Sequence, residues 1–413
     1  MPDNDTAIAA DVRAAQRNIL VLSICQALST AAASIDMTLT ALTGYQLAPT
    51  KLLATLPFSL ITVAAAFVIF SASMLMKRIG RKLGFILGAA AGTFGGIISF
   101  WAVLHSDFWV FCIGTAAVGV FQAFAQYYRL AASDSADDEN KSRAISTVLA
   151  GGVVAAVLGP MLASWSKDLV PGVLFAGSYS MIAVLSFVSI LLLAVFFRET
   201  TGHEATKVDG IQVAERPIKT ILGTPIFMAS AASNIVASVA MMFVMTAAPL
   251  AAVACNHTID DGANIIQWHL VGMFAPSFVT GALIKRFGLP TIVFGGIALN
   301  LVCMIAAISS SSLPAFYVAL LCLGIGWNFL FVAGSTLLVQ SCRPSERAKT
   351  QGAAELMRYA TTAIATLAAG PYLAFEGWTA LNLSVLPLLV LIAGTTLWWM
   401  ASERREEAAV VQM

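Results

Sequence analysis

The chain has 413 residues, of which 59% are hydrophobic and only 11% charged, and its mean hydropathy is +0.84. Soluble domains carry about 25% charged residues, so most of this surface does not face water. With 23 Lys and Arg against 22 Asp and Glu, and 6 Cys, the composition excludes a nucleic-acid binder, an extracellular disulfide scaffold and a disordered chain.

A membrane-spanning helix needs about 20 mainly apolar residues. In chain order such runs occur at 18–43, 52–76, 83–104, 108–132, 144–166, 172–197, 222–252, 262–284, 289–311, 314–340, 350–374 and 378–401. None alternates with the period of a membrane-barrel strand. The expectation is therefore an all-α polytopic membrane protein with twelve transmembrane helices. The small residues Ala31 to Ser34 mimic a signal-peptidase site, but the apolar run continues past them, so an uncleaved first span is expected.

Positive charge sets the expected orientation. Of the 23 Lys and Arg, only Lys51 and Lys167 fall in outer loops if the N-terminus is inside, and Arg129 and Arg358 lie within spans. All the others lie in segments then facing the cytoplasm, which predicts both termini inside. The longest hydrophilic segment, 198–220, separates an N-terminal six-helix half (1–197) from a C-terminal one (221–413).

The halves echo each other. The turn after the second span reads Ser73-x-x-x-Lys77-Arg78-Ile79-Gly80, and that after the eighth reads Gly281-x-x-x-Lys285-Arg286-Phe287-Gly288. Gly159-Pro160 in the fifth run is answered by Gly370-Pro371 in the eleventh. Two similar six-span halves predict a transporter with its substrate near mid-membrane, between them. On these motifs the whole chain resembles the major facilitator superfamily. Arg78, Gly80, Arg81 and Lys82 match that family's signature turn, while Ser73 and Lys77 replace its glycine and aspartate. The resemblance implies that superfamily's fold and transport by alternating access.

Ionisable and metal-liganding groups are costly inside a membrane and mark where function is to be sought. His105, His203 and His257 fall in loops or at span ends, whereas His269 sits well inside a span. His269-x-x-x-Met273 and Met241-x-x-x-Met245 are both i, i+4 pairs, so each puts two side chains on one helix face. The two spans are consecutive and antiparallel about a turn near Cys255-Asn256-His257. That levels Met245 with His269 and Met241 with Met273, at about 1.5 Å per residue. Thioether sulfur and imidazole suit Cu(I), whereas Mg²⁺ or Ca²⁺ would need oxygen clusters. The same spacing also serves packing, because Met is a common filler of apolar helices.

The two pairs, with Trp268 to Gly281 and Gly326 to Gly334 around them, resemble the copper-importer branch of the superfamily. That resemblance implies copper import across a bacterial inner membrane for cytochrome oxidase assembly, with Met241, Met245, His269 and Met273 as ligands. It also implies a copper chaperone or donor of unidentified nature as partner, and copper as cargo with no resident cofactor. Cys255 beside the outer turn and the pair Asp36-Met37 in the first span are accessory candidates, Asp36 as a proton site or copper attractant.

Glu355 and Arg358 are spaced to pair with each other. Cys25, Cys112, Cys303 and Cys322 lie in apolar runs as small hydrophobes, and Asp134, Asp137, Asp138 and Glu139 form a solvated acidic turn. No P-loop and no large extramembrane segment occur, so neither ATP-driven transport nor an enzyme is expected. Two other functions fit the same residues. One is a transporter of a small organic solute, proton-coupled through Asp36, with the Met and His faces as packing. The other is a non-transporting assembly factor that holds copper for a partner.

Overall fold

The computed structural model describes residues 4–135, 141–199, 216–343 and 346–411. They form fifteen α-helices: α1 (Asn4–Leu47), α2 (Leu56–Ile79), α3 (Arg81–Leu104), α4 (Phe108–Ala125), α5 (Tyr128–Asp134), α6 (Lys141–Ser166), α7 (Ala176–Phe196), α8 (Ile218–Leu222), α9 (Pro225–Ala254), α10 (Ile259–Phe274), α11 (Ser277–Phe287), α12 (Leu289–Ser309), α13 (Leu313–Gln340), α14 (Arg347–Leu383) and α15 (Leu386–Val411). No strand occurs among the described residues. Backbone polar groups in hydrocarbon must be satisfied within the segment, which is why an apolar chain of this kind folds as helices.

Among the described residues nine helices are long and apolar enough to cross a membrane, or ten if the bent pair α10 and α11 counts as one span. The protein is an all-α, multi-pass membrane protein. Phe67, Phe278 and Phe375 stand 80%, 77% and 77% exposed, a surface that only a bilayer makes stable. One apolar stretch, Lys349–Arg405, runs for 57 residues, more than twice the roughly 20 that one crossing needs. It is interrupted at Gly377, whose φ of 81° and ψ of 176° are not helical.

The chain divides into two compact units, Met1–Asp209 and Gly210–Met413. In the first, α1 packs on α6 and α7, and α3 packs on α4 and α7. Glycines allow those close approaches: a Cβ at Gly96 would lie 2.6 Å from the Ala183 nitrogen, and one at Gly95 would lie 2.7 Å from the Gly114 carbonyl oxygen. In the second unit α9 packs on α13, α14 and α15, and α13 also packs on α10 and α12.

The repeat seen in the sequence has a backbone counterpart. Gly80 adopts φ 87°, ψ 159° between α2 and α3, and Gly288 adopts φ 83°, ψ 158° between α11 and α12. Each N–H donates to the carbonyl four residues earlier, Met76 (3.0 Å) and Ile284 (2.8 Å). This region of φ/ψ space is open essentially to glycine alone, so both turns need the residue the repeat preserves. Gly159-Pro160 and Gly370-Pro371 both fall within helices, α6 and α14.

The eighth apolar run departs from expectation. It is not one helix but two, α10 and α11, bent by 43°. Pro276 at the break has no N–H to offer the Gly272 carbonyl, so the helical ladder stops there.

Candidate functional site

In the second unit α9 carries Met241 and Met245, and α10 carries His269 and Met273. All four side chains are buried, at 5%, 1%, 0% and 2% exposure. His269 Nδ1 lies 2.8 Å from the Leu320 carbonyl oxygen of α13. A carbonyl can only accept, so Nδ1 carries the proton and donates. His269 Nε2 is buried with no hydrogen-bond partner among the described residues. Helix α10 is pressed onto α13 at this level. A Cβ at Gly324 would lie 2.9 Å from the Met273 nitrogen and closer still to the His269 carbonyl oxygen.

Below this layer the break between α10 and α11 is stitched by one side chain of α13. Asn328 Nδ2 donates to the Met273 carbonyl oxygen at 2.8 Å and to Ser277 Oγ at 2.6 Å. Its Oδ1 accepts from Thr280 Oγ1 at 2.7 Å. The amide thus replaces backbone bonds that the bend removes, as a broken membrane helix requires. Interrupted spans are where transporters place their sites.

The other face of α13 carries Trp327 and Phe331, stacked with centroids 4.8 Å apart and planes inclined by 13°. Phe274, the last residue of α10, meets Trp327 edge-on at 6.4 Å. From α14, Arg358 lies over Phe331 at 5.7 Å and over Tyr359 at 4.5 Å. Glu355 Oε2 accepts from Arg358 Nε at 3.0 Å and Nη2 at 2.6 Å, the pairing their spacing predicts. A shallow, open groove runs along α13 past Phe331, Val332, Ser335, Thr336, Val339 and Gln340.

In the first unit Asp36 is 1% exposed. Thr40 Oγ1 donates to its Oδ1 at 3.1 Å, and Gln122 Nε2 of α4 donates to its Oδ2 at 3.3 Å. Tyr179 OH of α7 donates to Thr43 Oγ1 at 3.0 Å and lies 3.3 Å from Thr40 Oγ1. Helices α1 and α4 therefore meet at one carboxyl group, with α7 bonded to its neighbour Thr40, and no ion pair to it forms among the described residues. Met37 beside it is half-buried, and Cys255 is a half-buried free thiol capping α9.

Outside the spans, Glu346 at the start of α14 is fully buried. It accepts from Arg216 through the backbone nitrogen (2.9 Å) and Nε (3.0 Å) at Oε1, and through Nη2 (2.6 Å) at Oε2. Arg343 N adds a bond at 3.0 Å, and Lys349 Nζ reaches the Arg216 carbonyl at 2.8 Å. The hydrogen bonds from Arg216 hold the Glu346 carboxyl well below the usual carboxylate range. Of the acidic turn, Asp134 pairs with Arg81; Asp137, Asp138 and Glu139, like His203, lie outside the described residues. Among the described residues no group of three or more His, Cys, Asp or Glu could hold a metal ion.

The sequence pattern described as Major Facilitator Superfamily matches residues 20–258, more than half of the chain. The chain belongs to the major facilitator superfamily. It is accordingly a non-enzymatic, secondary transporter of some small solute. It is 40% identical over 92% of its length, and 95% of the relative's, to the riboflavin transporter RfnT of Brucella anthropi. It is 25% identical to the uncharacterized transporter YddS of Bacillus subtilis, covering 93% of this chain and 91% of that one. Among solved structures, a point mutant of the nucleoside transporter NupG superposes with a TM-score of 0.68 at 14% identity, covering 93% and 99% of the two chains. A bacterial homologue of the human lysosomal transporter Spinster, inward-facing and occupied, gives 0.67 at 14%, covering 94% and 96%. At such identities the likeness concerns the fold alone.

The similarity to a riboflavin transporter overturns the copper-importer resemblance. Copper import, a copper chaperone as partner and a link to cytochrome oxidase assembly are withdrawn. The physical reason lies in the signal itself. An i, i+4 spacing of Met and His on an apolar helix places them on one face, and a face packed against neighbouring helices meets that description as well as a ligand set does.

Sequence reasoning passed over Gln122, Thr40 and Tyr179 around Asp36, and Asn328, Ser277 and Thr280 around the break. Pro276 and the lone amide Asn328 within an apolar run were the legible signals for the second group. For the first there was only the cluster of hydroxyls that follows Asp36.

Proposed function

We propose that this protein is a twelve-span, proton-coupled transporter of a riboflavin-like organic solute in a bacterial inner membrane, with both termini in the cytoplasm. The observation that carries the reading is the 40% identity to a riboflavin transporter over nearly the whole of both chains. Twelve crossings follow if the bent pair is one span, the 57-residue stretch turns at Gly377 to make two, and the 26-residue helix α6 crosses as well. The distribution of Lys and Arg supports the orientation.

Asp36 supplies the coupling. A buried carboxyl group held only by neutral donors can take up and release a proton without breaking a salt bridge, and membrane carboxyls of this kind mark proton relays. Met241, Met245, Met273 and His269 form a packed wall, with His269 keyed to the Leu320 carbonyl. The test is uptake of radiolabelled riboflavin by purified protein in liposomes, with and without an imposed proton gradient. Gradient-stimulated uptake that protonophore abolishes is the expected result. Absence of riboflavin uptake under either condition overturns the reading.

A further inference from the structure

Trp327 sits at a junction that packing alone leaves incomplete. Its indole nitrogen is buried and has no hydrogen-bond acceptor among the described residues, although burying an N–H without a partner is costly. Its ring is stacked on Phe331 at 4.8 Å and touched edge-on by Phe274. None of these three rings is fully buried. They differ from the largely exposed aromatic residues of the lipid surface, such as Phe278 and Phe375, because they lie where α13 meets α10 on one side and α14 on the other.

The fourth member is a cation. The Arg358 side chain is only 18% exposed, lies over the Phe331 ring at 5.7 Å and is neutralised by Glu355. A largely buried guanidinium within a span is expensive and marks function by default. Its plane, like the rings, offers a stacking surface to a π system. Phe331 also lines the upper end of the open groove along α13.

We propose that Phe274, Trp327 and Phe331, edged by Arg358, form the stacking site for a planar heteroaromatic ring of the transported solute. The site selects the solute by its flat ring and not by its chain or sugar. This deepens, and rests on, the reading of the protein as a transporter of a riboflavin-like solute.

The test uses full-length protein in detergent and lumichrome, the flat tricyclic ring without the ribityl chain, as the binding probe read by its fluorescence. Riboflavin uptake in proteoliposomes is measured in parallel. Trp327→Leu should weaken lumichrome binding by about tenfold or more, the scale of one lost stacking partner. Trp327→Phe, which keeps a smaller ring, should fall between that variant and the parent. Trp268→Phe, on the exposed face of α10, should match the parent. If Trp327→Leu does not fold, Trp327→Phe and Phe331→Leu carry the test. Parent-like affinity in Trp327→Leu, or in both substitutes if it does not fold, overturns the stacking site, as does a parent protein that binds no lumichrome. A parent that moves no riboflavin but binds lumichrome in a Trp327-dependent way sinks the transport reading and leaves the site standing.

Discussion

Asn328 donates to the Met273 carbonyl oxygen at 2.8 Å, across the point where the eighth apolar run breaks into two helices. Fifty-five residues separate the two in the chain, yet this one amide supplies a donor to a carbonyl beside the bend and accepts from Thr280 on its far side. A kinked helix in a bilayer has no water to satisfy the freed groups, so a neighbouring side chain must do it.

Asn328→Leu should therefore destabilise the protein by about 1–3 kcal/mol, the usual cost of leaving a buried polar group unsatisfied. A thermal unfolding scan of purified protein measures this. An unchanged melting temperature would show that the bend is held by other contacts.

Asp36→Asn keeps the shape and can still accept from Gln122, turning its amide N–H toward Thr40 Oγ1, while removing the exchangeable proton. We expect riboflavin uptake, or its dependence on pH, to fall by more than the amount of protein in the membrane falls. Equal uptake by parent and variant across about pH 5 to 8 would return Asp36 to a structural role.

Glu346→Gln removes the charge that Arg216 grips. Because the folded-state carboxyl titrates below its unfolded value, the stability it supplies is present at neutral pH and lost as pH falls through the folded pKa. The variant should melt below the parent at neutral pH, and the gap should persist into mildly acid solution and close only in strongly acid solution. A gap that is constant down to strong acid would mean that the charge of Glu346 contributes nothing.

Gly324→Ala should lower both yield and melting temperature, by about 1–3 kcal/mol in stability, because the new methyl group meets the backbone of α10 and not a side chain that can turn away. Gly281→Ala, where nothing lies within 4 Å of the added carbon, is the control. Equal behaviour of the two would mean that α10 and α13 can separate at no cost.

Met241→Leu, Met245→Leu and Met273→Leu conserve volume in a packed wall and should each cost less than about 1.5 kcal/mol. Riboflavin uptake should survive all three. Loss of uptake from folded protein in any one of them would show that its thioether does more than fill space.

Composition, together with the length and non-alternating pattern of the apolar runs, determined that this chain lives in a membrane as helices. A surface so poor in charge has no other solvent, and a bilayer admits few backbone solutions. The internal repeat was equally legible, since Gly80 and Gly288 occupy a conformation that no other residue tolerates well. The proposed substrate site was not legible in the same way. Periodicity says which residues share a helix face, not what that face meets. For Met241, Met245, His269 and Met273, packing and ligation obey the same spacing, so the spacing does not choose between them. The partners that matter lie far apart in sequence: Thr280 and Asn328 are separated by 48 residues, and Asp36 and Gln122 by 86. Only the packing of whole helices decided that the amide of Asn328 would meet the break at Pro276, and that Arg358 would come to rest over Phe331.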